Sequence, residues 1–322
     1  MQSILAVTIP FFALVLAGYL AAQRRVLPES AIPGLNAFVL FFALPCLLFR
    51  FGANTPLLEL LNPVVLGVYT AAALLIVFFT VATTLSQRVH LKDAAFGALV
   101  AAFPNTGFMG VPLLVALLGP AAAGPVICTV LADLFVTSSL CIALAQAHEA
   151  TGFGARAAAL RALRGALSNP LPWAIALGAA SSVSGLRLEG PVDTIVKMLA
   201  DAASPVALFT IGAVLWRAGQ HAHTRTPAAL FVPVAAIKLF VHPLAVFALG
   251  AAARALGAPL SPFQLLTLTL AAALPSASNV SLLAERYGAD NGRIARIILS
   301  STALAFVSFT LLAWGFGVQP SG

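Results

Sequence analysis

The chain has 322 residues, of which 61% are hydrophobic and only 8% are charged. A soluble domain carries about 25% charged residues, so this composition excludes a soluble globular protein and predicts an integral membrane protein. The net charge of +7 would suit a nucleic-acid partner, but the basic residues lie in short stretches between apolar segments, where we expect them to set membrane topology instead.

Apolar segments follow one another along the whole chain. A helix needs about 20 apolar residues to cross a bilayer, and these segments are too long and too continuous for β-barrel strands, which alternate over roughly ten residues. The sequence therefore predicts an all-α membrane protein with no soluble domain, in which residues 148–166 form a linker. Ten spans are predicted, at about 3–22, 31–51, 62–85, 94–118, 122–147, 168–185, 192–216, 227–253, 262–286 and 293–317.

The lysines and arginines are distributed unevenly, which predicts the orientation. Twelve lie on one side of the predicted membrane and three on the other, while Lys197 and Lys238 fall inside spans. Cytoplasmic connections carry the excess of basic residues, so the linker is expected in the cytoplasm and both termini outside a bacterial inner membrane. The twelve are Arg24, Arg25, Arg88, Lys92, Arg156, Arg161, Arg164, Arg217, Arg225, Arg286, Arg293 and Arg296, and the three are Arg50, Arg187 and Arg254.

Two spans, the fourth and the ninth, are interrupted by proline. Pro104 stands within Val100-Ala-Ala-Phe-Pro-Asn-Thr-Gly107, and Pro275 within Ala271-Ala-Ala-Leu-Pro-Ser-Ala-Ser-Asn279. Proline removes a backbone donor and clashes with the preceding turn, so each helix must break or kink there. In a bilayer the freed groups need partners, so a broken helix is tolerated only where it is buried or lines a wet cavity. A matched pair of interrupted spans indicates the substrate site of a transporter.

The two halves of the chain also match each other. A shift of 160 residues superimposes Pro10 on Pro170, Gly18 on Gly178, Pro45 on Pro205, and Leu48-Phe49 on Leu208-Phe209. A shift of 171 superimposes Pro104 on Pro275. Each half holds five spans, an odd number, so the halves must be inverted. The prediction is two inverted repeats, 1–147 and 167–322, with crossing broken helices 4 and 9.

With these motifs in place, the chain resembles the auxin efflux carrier family, within the fold group of bile-acid/sodium symporters and sodium/proton antiporters. The residues that carry the resemblance are Phe103-Pro-Asn-Thr-Gly-Phe-Met-Gly-Val-Pro112 and Leu274-Pro-Ser-Ala-Ser-Asn279. Bacterial members are commonly described as permeases for malonate-type or other organic anions. The resemblance implies a core of spans 3–5 and 8–10 and a scaffold of spans 1, 2, 6 and 7, through which a homodimer could form. The long cytoplasmic loop of plant members is missing, so auxin is not expected as substrate.

Neutral polar residues beside the two prolines are the candidate substrate ligands. A broken helix exposes backbone donors at one half-helix N-terminus, where an anion is favoured. Uncharged side chains beside it would bind a carboxylate without burying a counter-charge. Alternatively, they cap the broken helices and satisfy loose carbonyls. Pro104 and Pro275 set the geometry in either case, and Gly107 and Gly110 predict close helix packing. The candidates are Asn105, Thr106, Ser276, Ser278 and Asn279.

Ionisable residues at membrane depth are costly, which makes Asp133 in the fifth span and Lys238 in the eighth candidates for ion or proton coupling. In related antiporters an aspartate and a lysine at these places handle coupling. The usual acidic pair is absent, since Ala132 precedes Asp133. A static buried ion pair is the alternative. His242, one turn after Lys238, is expected to be a hydrogen-bonded packing residue.

The seventh span carries Lys197 and Asp201 at a spacing of four, which predicts an ion pair on one helix face near a domain or oligomer interface. Cys46, Cys128 and Cys141 lie inside spans, and no metal-ligand spacing or Gly-rich phosphate loop is present, so no enzyme, metal or cofactor is expected.

Taken as a transporter, the chain is predicted to move a small organic anion by elevator-type alternating access, with proton coupling as an option. The alternatives are an ion/proton antiporter of the same fold, or a channel or transporter-like sensor. A carrier saturates and shows counterflow, whereas a channel gives unitary currents and a sensor moves nothing.

Overall fold

The structure, a computed structural model, describes residues 1–147, 167–220 and 226–320. Across these ranges the chain forms helices joined by turns, with no strand; a single isolated bridge pairs Pro104 with Ser276. The all-α class predicted from the sequence is therefore confirmed. The predicted linker 148–166 lies outside the described residues.

The helices follow the predicted spans within a few residues. Their bounds are α1 Gln2–Gln23, α2 Glu29–Asn54, α3 Pro63–Thr84, α4 Leu91–Ala102, α5 Thr106–Leu118, α6 Pro120–Gln146, α7 Pro170–Ser184, α8 Gly190–Gln220, α9 Ala228–Ala255, α10 Pro262–Ala272, α11 Val280–Arg286 and α12 Asn291–Gly315. A short helical turn, Leu57–Leu60, precedes α3.

Seven of the described helices are long and apolar enough to cross a membrane. The others are shorter, and four of them flank the two prolines predicted to interrupt a span. Residues 103–105 separate α4 from α5, and residues 273–279 separate α10 from α11. We call these the first break and the second break. Because Pro104 and Pro275 have no N–H, neither helix can continue its hydrogen-bond ladder through them.

The helices that lead into the breaks are enclosed by protein. Every residue of α4 from Ala94 to Ala102 is buried, and so are those of α10 from Thr267 to Ala272. A helix that is apolar on all sides is stable only when surrounded. The surrounding helices α3, α6, α9 and α12 therefore place both breaks in the interior, away from lipid.

Helices α1 and α8 cross with their backbones in contact. A Cβ atom added to Gly18 would lie 1.8 Å from the carbonyl oxygen of Phe209, and one added to Gly212 would lie 1.8 Å from that of Val15. No side chain larger than hydrogen fits at either position. Small residues at such crossings let membrane helices approach closely and gain dispersion contacts.

Helices α2 and α7 repeat this crossing with matching residues. A Cβ atom on Gly178 would lie 2.3 Å from the carbonyl oxygen of Phe49, and one on Gly52 would lie 2.9 Å from that of Ile175. Each of these contacts corresponds to one between α1 and α8 when residue numbers are shifted by 160, the offset found in the sequence. The two crossings are therefore equivalent under the predicted repeat.

Candidate functional site

The two breaks are hydrogen-bonded to each other. The N–H of Asn105 donates to the carbonyl of Pro275 at 2.8 Å, and the N–H of Ala277 donates to the carbonyl of Phe103 at 3.0 Å. A backbone N–H or C=O group that stays unpaired at membrane depth costs on the order of several kcal/mol, the cost of moving a polar group from water into an apolar medium. Each break therefore supplies partners that the other needs.

The carbonyl of Val100 in α4 also receives its hydrogen bond from the second break, in this case from a side chain. Its partner in an uninterrupted helix would be the N–H of residue 104, which is proline. The hydroxyl of Ser276 donates to it instead, at 2.7 Å. Ser301 of α12 accepts from the N–H of Ser276 at 3.2 Å and so fixes the second break from the other side. Ser276 thus has the capping geometry that was one of its two predicted roles.

The carbonyl of Ala272, the last residue of α10, receives a charged donor. Its partner in a continuous helix would be the N–H of Ser276, which is bound to Ser301. The ammonium group of Lys238 donates to it at 2.7 Å. Lys238 is fully buried, and a cation at a helix C-terminus interacts favourably with the helix dipole. Lys238 therefore ties α9 to the second break.

Three of the predicted ligands have side chains that are not hydrogen-bonded to other described residues. Asn105, Ser278 and Asn279 make no side-chain hydrogen bond to any other described residue, although Asn105 is only 2% exposed. The hydroxyl of Thr106 lies 3.5 Å from the carbonyl of Pro104, at the limit of a hydrogen bond. Buried amides are ordinarily paired, so these groups beside the breaks have bonding capacity left for a ligand.

The two glycines after the first break differ in their surroundings. A Cβ atom on Gly110 would lie 2.6 Å from Cδ1 of Leu274, so the prediction of close packing is confirmed there. At Gly107 the nearest atom would be Cδ1 of Leu171, at 4.0 Å, so that prediction is wrong. Gly107 is partly exposed. The first turn of α5 is therefore open on the side that faces α7.

Asp133 lies fully buried in a π-helical turn, Asp133–Thr137, within α6. One carboxylate oxygen accepts from the hydroxyl of Tyr69 in α3 at 2.8 Å, and the other accepts from Thr137 at 3.1 Å. Single π-helical turns are rare and occur often at functional sites. Tyr69 was missed in the sequence, where a tyrosine within an apolar span carries no visible signal.

Lys238 also lies in a π-helical turn, Ile237–Val241 in α9. Besides the Ala272 carbonyl, its ammonium contacts Nδ1 of His242 at 3.1 Å. His242 is fully buried, and its Nε2 has no partner among the described residues. The ring of His242 lies 6.0 Å from that of Tyr69, so Asp133, Tyr69, His242 and Lys238 form one buried cluster.

The static ion pair between Asp133 and Lys238 does not form. The two groups interact electrostatically, but no nitrogen–oxygen distance between them falls within 4.0 Å. The reason is that each is already satisfied: Asp133 by Tyr69 and Thr137, and Lys238 by Ala272 and His242. The expectation that His242 is hydrogen-bonded is confirmed for Nδ1 but not for Nε2.

The pair predicted within the seventh span is also wrong. Lys197 and Asp201 are both exposed on α8 and form no ion pair with each other. The carboxylate of Asp193 instead binds the guanidinium of Arg50 at 2.8 Å. This contact joins the end of α2 to the start of α8.

Arg293, counted as a loop residue for the topology, lies in the first turn of α12 and is 2% exposed. Its guanidinium donates to the carbonyls of Leu230 and Asp93, both at 2.8 Å. It therefore gathers the starts of α4, α9 and α12 at one end of the molecule. The predicted topology puts these three starts on one side, so the correction to Arg293 leaves that topology intact.

Comparison with known proteins gives a family match over nearly the whole chain. A family model described as "Membrane transport protein" matches residues 3–313. The chain is 29% identical over 316 residues to the "Putative malonate transporter" of Rhizobium meliloti (strain 1021), covering 98% of this chain and 96% of that protein. It is 26% identical over 311 residues to the "Uncharacterized transporter YfdV" of Escherichia coli (strain K12), covering 93% of each.

Proposed function

Since the chain belongs to the membrane transport protein family, the auxin efflux carrier-like group, we propose that it carries a small organic anion with at least one carboxylate across the inner membrane. The observation that carries the proposal is the pair of hydrogen-bonded breaks with unpartnered amides beside them, inside an enclosed helical core. Such a site offers neutral donors to an anion at membrane depth, where a fully charged site would be costly.

The proposed architecture is ten spans in two inverted repeats. It counts α4 with α5, and α10 with α11, as the crossing broken helices 4 and 9. The equivalent glycine crossings of α1 with α8 and α2 with α7 support it, because they relate one half to the other by the 160-residue offset. In this scheme α1, α2, α7 and α8 are the scaffold, the remaining helices are the core, both termini lie outside, and a homodimer forms through the scaffold.

Within this scheme the predicted ligands divide into two roles. Asn105, Ser278 and Asn279 bind the carboxylate, with Thr106 beside them, because their side chains have free bonding capacity. Ser276, with Pro104 and Pro275, maintains the breaks, because its hydroxyl already serves the Val100 carbonyl. The core moves against the scaffold as an elevator, and the open side of Gly107 toward α7 is where the substrate would meet the scaffold.

Proton coupling is proposed at Asp133 and Lys238. Both are fully buried ionisable groups in π-helical turns, and Lys238 binds the carbonyl of Ala272, the residue just before the second break. A change of protonation in this cluster therefore has a physical route to the substrate site. The same cluster would serve an ion/proton antiporter, which is the second candidate function.

The name of the Rhizobium meliloti relative suggests malonate as the first substrate to test. The experiment uses the purified protein in proteoliposomes loaded with unlabelled malonate, with radiolabelled malonate added outside. Saturable uptake and counterflow, competed by other small mono- and dicarboxylates, are the expected results. Unitary currents would indicate a channel, proton flux without carboxylate flux an antiporter, and absence of any flux a sensor.

A further inference from the structure

The buried ring of His242 is only half satisfied by hydrogen bonds, since Nδ1 has a partner and Nε2 has none among the described residues. A charged lysine has only hydrogen-bond donors, so the 3.1 Å contact with Lys238 makes Nδ1 of His242 the acceptor. The remaining ring proton is then on Nε2, which is buried without an acceptor in the part of the chain that the structure describes. A buried unpaired donor is costly, and the packing of the helix does not explain why a histidine occupies this position.

Tyr69 of α3 and Lys238 of its own helix α9 are the ionisable groups in contact with His242. Asp133 of α6 interacts electrostatically with Lys238, and Cys141 of α6 interacts with Asp133. The adjacent helices α4 and α12 carry ionisable residues only in their first two turns, and α10 carries none. With Asp133 negative, Lys238 positive and the others neutral, the cluster has no net charge.

We propose that His242 is the proton-binding group of the carrier and that Lys238 transmits its protonation to the second break. The proposal rests on the proposed carboxylate transport and assigns its coupling site. One proton from water adds to Nδ1 of His242, Lys238 keeps its own proton, and the cluster gains one positive charge. That charge offsets one carboxylate of the substrate.

Protonation at Nδ1 changes the contacts of Lys238 directly. Nδ1 then carries a hydrogen and no longer accepts, and two cations 3.1 Å apart repel each other. Asp133 is the anionic group within the cluster, so Lys238 moves toward it and releases the carbonyl of Ala272. The second break loses its charged donor and loosens.

Asp133 is less suited to take the proton itself. Both of its oxygens already accept a hydrogen bond, one from Tyr69 and one from Thr137. Hydrogen bonds donated to a carboxylate stabilise its charged form, whereas a proton on His242 displaces only the Lys238 contact. Asp133 therefore acts as the alternative partner of Lys238.

Hydrogen exchange of the purified protein tests the proposal without any substrate. Exchange of the backbone amides of residues 273–279 is measured by mass spectrometry in mildly acidic and mildly alkaline buffer and corrected for intrinsic exchange. In the wild type, protection should fall in acid by roughly tenfold, the effect of losing one charge-assisted hydrogen bond. Wild-type protection that does not depend on pH would overturn the proposal. This measurement uses the wild-type protein alone, so its outcome does not depend on whether a variant folds.

The variant His242→Gln should abolish this pH dependence, and His90→Gln, at an exposed histidine, should retain it. A pH dependence that persists in His242→Gln would mean that Asp133 binds the proton, which overturns the role of His242 but leaves carboxylate transport intact. Failure of wild-type counterflow would instead contradict the proposed function, so the two failures are distinguishable.

Discussion

The hydroxyl of Ser276 donates a hydrogen bond to the carbonyl oxygen of Val100 across 2.7 Å, although 176 residues separate the two. A residue of the second break thus supplies the donor that Pro104 removes from the first. We expect Ser276→Ala to lower the free energy of unfolding by about 1–3 kcal/mol, because a buried carbonyl loses its partner. Thermal unfolding of the purified protein measures the loss.

Ser278→Ala is the matched control, since the hydroxyl of Ser278 has no hydrogen bond to another described residue. Its unfolding temperature should stay near that of the wild type while its affinity for a carboxylate falls. Equal stability of the two variants would contradict the assignment of Ser276 to the breaks.

The amides of Asn105 and Asn279 are proposed to bind the substrate. Asn105→Ala and Asn279→Ala should each abolish malonate uptake with little loss of folded protein, because neither side chain supports the structure. Asn62 is the control: its side chain accepts from the N–H groups of Val64 and Val65 and caps α3. Asn62→Ala should cost about 1 kcal/mol of stability and leave affinity unchanged. Normal uptake by both site variants would place the substrate elsewhere.

Asp133 is proposed to take part in proton coupling. Asp133→Asn should keep substrate exchange across the membrane but lose accumulation driven by a pH gradient, because Lys238 no longer has an anionic group to move toward. Uptake in proteoliposomes with and without an imposed gradient measures both activities. If the gradient drives the variant as well as it drives the wild type, Asp133 has no part in coupling.

The close crossing of α1 and α8 depends on glycine. Gly18→Ala places a Cβ atom 1.8 Å from the backbone oxygen of Phe209, so the helices must separate, at a cost of about 1–3 kcal/mol or more. Gly67 of α3 has no atom within 4 Å of such a Cβ, and Gly67→Ala should stabilise the helix by about 0.5–1 kcal/mol. Unfolding temperatures of the two variants should therefore move in opposite directions.

The topology is tested by single cysteines in a background without Cys46, Cys128 and Cys141. Val26, 79% exposed after α1, and Leu256, 89% exposed after α9, lie on opposite sides in the proposed scheme. A membrane-impermeant thiol reagent applied outside should label Leu256→Cys alone, and permeabilised membranes should allow both. Labelling of both from one side would rule out the inverted five-plus-five arrangement.

Features with a local cause were predictable from the sequence. Proline breaks a helix wherever it stands in the interior, so Pro104 and Pro275 located both breaks, and hydrophobic length located the helices. The partners of buried polar groups were not predictable, because they depend on helix rotation and packing. Lys238 lies near Asp133 yet binds Ala272 and His242, and no local signal connects Ser276 to Val100. The glycine crossings were predictable in part. The 160-residue offset that pairs Gly18 with Gly178 also pairs Gly52 with Gly212, and these four glycines form both crossings.

The glycine crossings also constrain how the protein is made. Each joins a helix of the first half to one of the second, so the glycine faces of α1 and α2 have no partner until α7 and α8 leave the ribosome. For Gly18 and Phe209 the delay is roughly 190 residues, or about 10–40 s at synthesis rates of about 5–20 residues per second. During that time the bare glycine faces of the nascent helices must be shielded by lipid or by the insertion machinery.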